Sequence, residues 1–403
     1  MLQWTDEQIM FRQAVRKFVE AEVAPRREAL EFEGLPPYDV LRQFYQRFGV
    51  GHSALERFEA AMNGGPKPPR NASEKLIPLI EFSRWCPGLA VALGTTIDLT
   101  AGAILRAGSA EQKRRWVPDL LTLDKIGCWA ITEPDSGSDA FGGMRSTARP
   151  VPDGWILNGS KTFISNGPYA DTVVFIGKLD DGSDTPQRQR PILTFVLDRG
   201  MDGLVQSKPL RKMGQHSSPT GELHLRDVKV TEDRLLRGPE RAVSAGSARG
   251  DKGASATFAM ERASIAASAL GIIERCLELS VDYARTRVQF GRPIGDYQLI
   301  QLKLAKMEVA RLNVEHLLLQ YLAQADAGVR PSLAEASAVK LYAAQSAMEV
   351  TLEAVQVFGG NGYMAENHVE QLCRDAKVLQ IYGGTDEIQV RAIARDLLGR
   401  TRA

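Results

Sequence analysis

Gly154-Trp155-Ile156-Leu157-Asn158-Gly159-Ser160-Lys161-Thr162-Phe163-Ile164-Ser165 lies near the middle of the chain. Two short strand-like runs flank an Asn-Gly pair, the dipeptide best suited to the paired positive-φ conformations of a tight hairpin. The stretch therefore predicts a β-hairpin turning at Asn158-Gly159. Working outward, residues 173–176, 192–197 and 222–225 read as further short strands, separated by loops rich in Asp, Gly and Pro. No helical period intervenes, so residues 126 to about 230 are expected to form an antiparallel sandwich or barrel-like unit.

On either side the apolar period changes. Thr5 with Gln8 has the spacing of a capping box, and Ile9, Val15, Phe18 and Val19 follow at helical positions. Helical patterning runs on to about Leu121, interrupted by the loop Asn63-Gly64-Gly65-Pro66-Lys67-Pro68-Pro69, and Ser109 with Gln112 opens another helix. Beyond Ser255 the helical period returns over 255–287, 298–327, 333–358, 367–380 and 386–398, with short glycine-containing breaks that suit an antiparallel bundle. The expected organisation is α+β: an N-terminal helical domain (1–125), a middle antiparallel β-domain (126–240) and a C-terminal domain like a four-helix bundle (241–403).

Composition narrows the function. Fifty basic against 49 acidic residues leave a net charge of +1, which gives no electrostatic reason to expect nucleic acid or an anionic membrane as partner. No apolar run stands out as long enough to span a bilayer. Cys86, Cys128, Cys276 and Cys373 are widely spaced without a CxxC pair, and the five histidines have no ligand spacing. Reduced thiols, no metal and a cytoplasmic setting are expected. The N-terminus lacks the basic-then-apolar layout of a secretory signal. Neither a dinucleotide-binding GxGxxG after a strand nor a P-loop is present, and Gly359-Gly360-Asn361-Gly362 suits a helix–helix turn equally well.

Several segments together resemble the acyl-CoA dehydrogenases, flavoenzymes that oxidise acyl thioesters. They are Trp129-Ala-Ile-Thr-Glu-Pro-Asp-Ser-Gly-Ser-Asp139, Lys161-Thr-Phe-Ile-Ser-Asn-Gly167, Met260-Glu-Arg-Ala-Ser-Ile-Ala-Ala267, Ala284-Arg-Thr-Arg-Val-Gln-Phe-Gly-Arg-Pro-Ile294, Gln356-Val-Phe-Gly-Gly360 and Ile381-Tyr-Gly-Gly-Thr-Asp-Glu-Ile-Gln389. The resemblance implies a non-covalently bound FAD. Its flavin would meet Trp129, Ile131, Thr132, Gly137 and Ser138, stack on Phe163 and take a hydrogen bond from Ser165. Arg287, Gln289, Phe290, Gln298, Gln356, Gly359 and Gly360 would reach the FAD of an adjacent subunit in a homotetramer (a dimer of dimers), with Thr385 and Glu387 also at the cofactor. Ser138, Arg262, Tyr382 and Gly384 are implied as substrate contacts. The implied partners are an acyl-CoA or acyl-carrier thioester and an electron-transferring flavoprotein.

The last segment departs from the family's commoner pattern, in which a catalytic glutamate stands where this chain has Gly383. The isovaleryl-CoA and long-chain types carry that glutamate on an earlier helix, in a segment similar to the one around Glu261. The resemblance thus implies Glu261 as the base and the Gly383 N–H as a donor to the thioester carbonyl. By itself Glu261 reads more simply as a helix-surface residue paired with Arg262 or Lys252; the complementary loss at Gly383 favours the base. Two other readings compete: a flavin oxidase or monooxygenase of the same fold, against which Glu261 counts, and a non-catalytic or partner-dependent subunit. The aromatic and basic stretch 38–58 stands where the family has a different segment, and the Gly/Ser-rich stretch 244–255 is longer than is typical of it. Small residues at Thr95, Thr96, Ala101 and Gly102 suit a roomy pocket or plain helix packing.

Overall fold

The computed structural model describes residues 2–65, 72–236, 252–329 and 331–399, with backbone only for 252–260. Residues 66–69 of the expected loop, most of the 244–255 stretch and the Lys252 side chain lie outside the described residues, as does the expected boundary at 240/241.

Among the described residues eight α-helices come first: α1 (Asp6–Phe18), α2 (Arg27–Phe32), α3 (Tyr38–Phe48), α4 (Val50–Met62), α5 (Ala72–Ser83), α6 (Pro87–Gly94), α7 (Gly102–Ala107) and α8 (Ala110–Leu121). Both expected capping boxes form, Thr5 with Gln8 opening α1 and Ser109 with Gln112 opening α8. A π-helical segment, Thr95–Ala101, joins α6 to α7. Against the reading of the apolar runs, the continuous span Pro87–Ala107 is 21 residues long and apolar enough to cross a membrane by length and composition. Much of it is buried inside the protein, Leu89, Ala92 and Leu93 among the N-terminal core and Ala101 and Ile104 beside Trp116.

Among the described residues the middle region is one eight-stranded sheet made of β1 (Gly127–Ala130), β2 (Thr147–Val151), β3 (Gly154–Ser165), β4 (Thr172–Leu179), β5 (Ile192–Asp198), β6 (Leu204–Gln206), β7 (Thr220–Val230) and β8 (Leu235–Leu236). It runs β6-β7-β3-β2-β4-β5-β8, with β1 also on β4. Two expectations need correction. The sheet is mixed, because β1 and β2 both pair parallel to β4. And Asn158-Gly159 does not turn: β3 runs straight through it, while the hairpin lies upstream, where Val151 pairs with Gly154 across Pro152-Asp153. Gly159 instead sits at a register shift against β7, at φ +154°, and a Cβ there would collide with Ser146. The Asn158 amide reaches across to Asp227, donating to its carboxylate at 3.0 Å and accepting from its N–H at 2.8 Å. The Asn-Gly pair is thus the chemistry of a bulge.

After residue 252 come α9 (Lys252–Thr286), a small ribbon of β9 (Val288–Gln289) and β10 (Arg292–Pro293), then α10 (Gln298–Asp326), α11 (Leu333–Phe358), α12 (His368–Lys377) and α13 (Asp386–Gly399). The ribbon was not legible as strands. It turns at Phe290 and Gly291, both at positive φ, as a tight hairpin requires. Helix α5 belongs to this bundle's core, its Leu76, Leu79 and Ile80 packing with Ala263, Ile265 and Ala266 of α9. Contact is so close that a Cβ on Gly271 would collide with the Ile80 carbonyl. A buried ion-pair network reinforces it: Glu81 accepts from Arg12 at 2.6 Å and Arg16 at 2.8 Å, and Arg84 reaches Glu274 at 3.2 Å.

Candidate active site

The loop after β1 is held by a buried carboxylate that the sequence reading passed over. Glu133 accepts from Lys161 Nζ at 2.8 Å and from the backbone N–H groups of Arg145 and Ser146 at 2.6 and 2.9 Å. Burial alone would push its carboxyl up, but Lys161 and these donors hold it below the ordinary glutamate value. Lys161, drawn down to about 8 by the same burial, also donates to the Ile131 carbonyl at 3.1 Å. The Thr162 N–H donates to the Thr132 carbonyl at 2.9 Å. The loop carrying Trp129, Ile131 and Thr132 is therefore laced to the end of β3 that carries Phe163 and Ser165. Trp129, Ile131, Thr132 and Ser165 are half-buried, while Gly137 and Ser138 are exposed. Phe163 sits at φ +56° beside a register shift between Lys161 and Ile164, and its ring is 68 % exposed. A large aromatic turned outward from a sheet by a bulge is a surface built to be covered.

A second group lies on the bundle. Gly383 adopts φ +62°, and a Cβ there would collide with Ile265 Cδ1 and come within 3.7 Å of the Glu261 carboxyl carbon. Residues 261 and 383 thus face one point. Glu261 is half-buried, with no ion-pair partner within 4.0 Å among the described residues, so its surface pairing with Arg262 does not form. Burial pushes its carboxyl up to about 7, with Arg262 drawing it partly back and Asp98 adding to the rise. Gly384 is at φ +91°; its carbonyl accepts from the buried Lys340 Nζ at 2.9 Å and from Gln389 Nε2 at 2.7 Å, which also holds the Gly383 carbonyl at 3.0 Å. With these carbonyls engaged, the Gly383 N–H has no acceptor among the described residues. Tyr382 is half-buried, and its hydroxyl lies 3.5 Å from Gln215 Nε2. Arg262 turns away from this point: it is buried and donates to the Leu333 carbonyl at 3.2 Å and Ser337 Oγ at 2.9 Å. It fastens α9 to α11.

A third group is exposed at one end of the bundle: Arg287, Gln289, Phe290 (95 % exposed), Gln298, Gln356, Gly359 and Gly360. Tyr283 ties this group together. Its ring stacks on Phe358 at 4.1 Å, and its hydroxyl accepts from Asn361 Nδ2 at 2.9 Å, setting the 359–363 turn beside the end of α9. Gly359 has φ +60° and ψ −135°, a conformation open essentially to glycine alone. Among the described residues, no hydrogen bond, ion pair or ring contact links this group to Thr132, Phe163 or Ser165. Thr385 Oγ1 accepts from Ile388 N–H at 3.4 Å at the start of α13, and Glu387 is exposed.

Known proteins resemble this chain along nearly its whole length. Residues 5–124, 128–228 and 248–398 match the N-terminal, middle and C-terminal domains of acyl-CoA dehydrogenases. An acyl-CoA dehydrogenase of Bacillus subtilis (strain 168) is 36 % identical over 98 % of this chain and 99 % of its own. The structure of butyryl-CoA dehydrogenase from Megasphaera elsdenii superposes with a TM-score of 0.86 at 32 % identity, covering 99 % of this chain and 100 % of its own. That of a glutaryl-CoA dehydrogenase from Mycobacterium smegmatis in complex with FADH2 does so with a TM-score of 0.85 at 28 % identity, covering 99 % and 96 %. With all three domains matched and relatives of this identity spanning the chain, it belongs to the acyl-CoA dehydrogenase family of oxidoreductases.

Proposed function

We propose that the protein is an FAD-dependent acyl-CoA dehydrogenase of the type with its base on the earlier helix. It would convert an acyl-CoA thioester to the 2-enoyl-CoA and pass the electrons to an electron-transferring flavoprotein. The observation that carries this reading is the Glu261 carboxyl, unpaired among the described residues and raised by burial, facing the side-chain-free Gly383. The FAD fits what is present: an exposed Phe163, half-buried Thr132 and Ser165 on the segments laced together there, and an exposed guanidinium at Arg287 for the pyrophosphate. When bound, FAD supplies the acceptor for the hydride that leaves carbon β.

The chain's own residues do the rest. The free Gly383 N–H donates to the thioester carbonyl oxygen and stabilises charge developing there as the α-proton leaves. Because that donor is backbone, the absent side chain at 383 costs it nothing. Glu261 accepts the α-proton on a carboxylate oxygen, and a value near 7 matches the base to neutral pH. Glu261 works only when ionised, so kcat/KM should rise with pH and level off above about 7. A profile flat from pH 5 to 9 would remove Glu261 as the base. The simplest overall test is anaerobic bleaching of the purified yellow protein by acyl-CoA thioesters.

The shared-site reading assigns the exposed third group to the FAD of an adjacent subunit in a homotetramer built as a dimer of dimers. Its support is the separation of that group from Phe163 within one chain. Arg287→Ala should weaken FAD retention at least about tenfold, the effect of losing one charge-assisted contact, with little change in the unfolding midpoint of the apoprotein. A sedimenting monomer that still holds one FAD would refute this picture. The 1–125, 126–240 and 241–403 division and a cytoplasmic setting complete the proposal, the latter supported by four free cysteines, three of them buried.

A further inference from the structure

Lys75 and Asp98 have no part in the chemistry described so far, yet they lie beside it. In the packing of α5 on α9, Ile80 meets Gly271 and Arg84 meets Glu274 and Glu278, so the two helices run in the same direction. Following both back brings Lys75 level with about residue 266 of α9, a little over one turn from Glu261. Asp98 sits on the π-helical segment after α6, a local irregularity that often marks a functional site. Lys75 Nζ donates to Asp98 Oδ1 at 2.7 Å, with the two side chains 26 % and 31 % exposed. Their sequence neighbours Leu76, Ile77, Thr95 and Thr96 are buried. Both charges are felt at the Glu261 carboxyl, Asp98 raising it and Lys75 lowering it.

Gly94 opens the space beside the pair. Apart from its chain neighbours and the backbone of its own helix, a Cβ at Gly94 would meet one atom within 4 Å, Asp98 Oδ2 at 3.5 Å. Among the described residues Asp98 Oδ2 has no hydrogen-bond donor, and Lys75 Nζ spends one of its three N–H groups. An acceptor and two donors are thus left over, close to the base. A plain alkyl chain reaching them would desolvate a charged pair without replacing its hydrogen bonds.

Building on the acyl-CoA dehydrogenase reading, we propose that Lys75 and Asp98 select an acyl group whose far end carries a neutral hydrogen-bonding function, a hydroxyl or primary amide. Such a group donates to Asp98 and accepts from Lys75 at once. A terminal carboxylate would meet Asp98 as a like charge, with Lys75 already paired to it. A terminal ammonium would compete with Lys75 for Asp98.

The test compares thioesters that differ only at the end of the chain. Rates of anaerobic flavin bleaching would be measured for alkyl, ω-hydroxy, ω-carboxy and ω-amino acyl-CoA of equal length, from four to eight carbons. The ω-hydroxy compound of the fitting length should exceed its alkyl counterpart in kcat/KM by about 10- to 100-fold, as expected for hydrogen bonds to charged groups. Lys75→Met with Asp98→Leu, which keeps volume and removes the pair, should reverse that order. Asp98→Asn, the milder change, should shrink the ratio without loss of bound FAD. Preference of the wild type for the alkyl, carboxy or amino compound would overturn the proposal. So would a ratio unmoved by either variant, leaving the pair as a strut between α5 and the π segment. Bleaching by alkyl thioesters alone would overturn this inference and spare the dehydrogenase reading, whereas no bleaching by any thioester would remove both.

Discussion

Glu261→Gln is expected to abolish flavin reduction by acyl thioester while leaving FAD bound. Glutamine keeps the shape and part of the hydrogen bonding but cannot accept the α-proton. Loss of a positioned base typically costs about 100- to 10,000-fold. The upper end is expected here, because position 383 offers no second carboxylate and Ile265 fills the space where one would project. Rapid-mixing measurement of flavin bleaching decides it: a near wild-type rate would disprove the assignment.

Stability should move the other way. Burial raises the Glu261 carboxyl from 4.5 to about 7 in the folded protein, so its ionisation opposes folding. That stability is whole below pH 4.5 and is lost as pH rises through 7. Glutamine carries no such penalty. Glu261→Gln should therefore be the more stable protein at pH 8, by as much as about 3 kcal/mol, with the gap closing towards pH 5. An inactive variant that melts higher than the wild type only at neutral and alkaline pH would point to a carboxylate held in place for chemistry. Equal melting at both pH values would mean that Glu261 is better solvated than its surroundings indicate.

The order helix, sheet, helix was legible because period two and period 3.6 leave different marks on a sequence, and both capping boxes stood where Thr5 and Ser109 placed them. Asn158-Gly159 misled because the pair supplies positive φ and a short amide, which serve a bulge as readily as a turn; the pairing of β7 along β3 decided between them. Glu133 with Lys161, and Lys75 with Asp98, left no sequence signal, since ion pairs between distant segments have no period. The hold of Arg262 on α11 left no mark either, because motif position does not say which way a helical side chain faces. The opposition of Glu261 and Gly383 was implied only by family resemblance; the crossing of α9 by the turn before α13 makes it physical.

Gly214→Val is expected to be the most damaging change outside the reacting residues. The loop after β6 is where the N-terminal helices, the sheet and the bundle meet. At its centre a Cβ on Gly214 would lie 2.6 Å from the Arg374 carbonyl oxygen and 2.7 Å from the Asp375 nitrogen, both backbone atoms. On the other side a Cβ on Gly88 would lie 2.6 Å from the Ser218 nitrogen. No rotamer change relieves backbone against backbone, so the loop and α12 must separate. That separation unmakes a buried junction. The Gln215 N–H, held at φ +50°, donates to the Asp375 carboxylate, which burial and the nearby Glu31 raise to about 7. Arg374 bridges Glu31 at 2.6 Å and the Met213 carbonyl at 2.9 Å, and His216 bonds the Glu31 and Lys212 carbonyls at 2.8 and 2.7 Å. Stranding several of these groups should cost about 3 kcal/mol or more, read as a fall in the unfolding midpoint of the holoprotein. Activity should fall with it, because Gln215 also reaches Tyr382, the residue before the Gly383 donor. Gly214→Ala should be intermediate in both readouts. If valine were tolerated with an unchanged melting point and an unchanged rate of flavin reduction, loop and helix would not be in contact, and the support of the Gly383 turn would lie elsewhere.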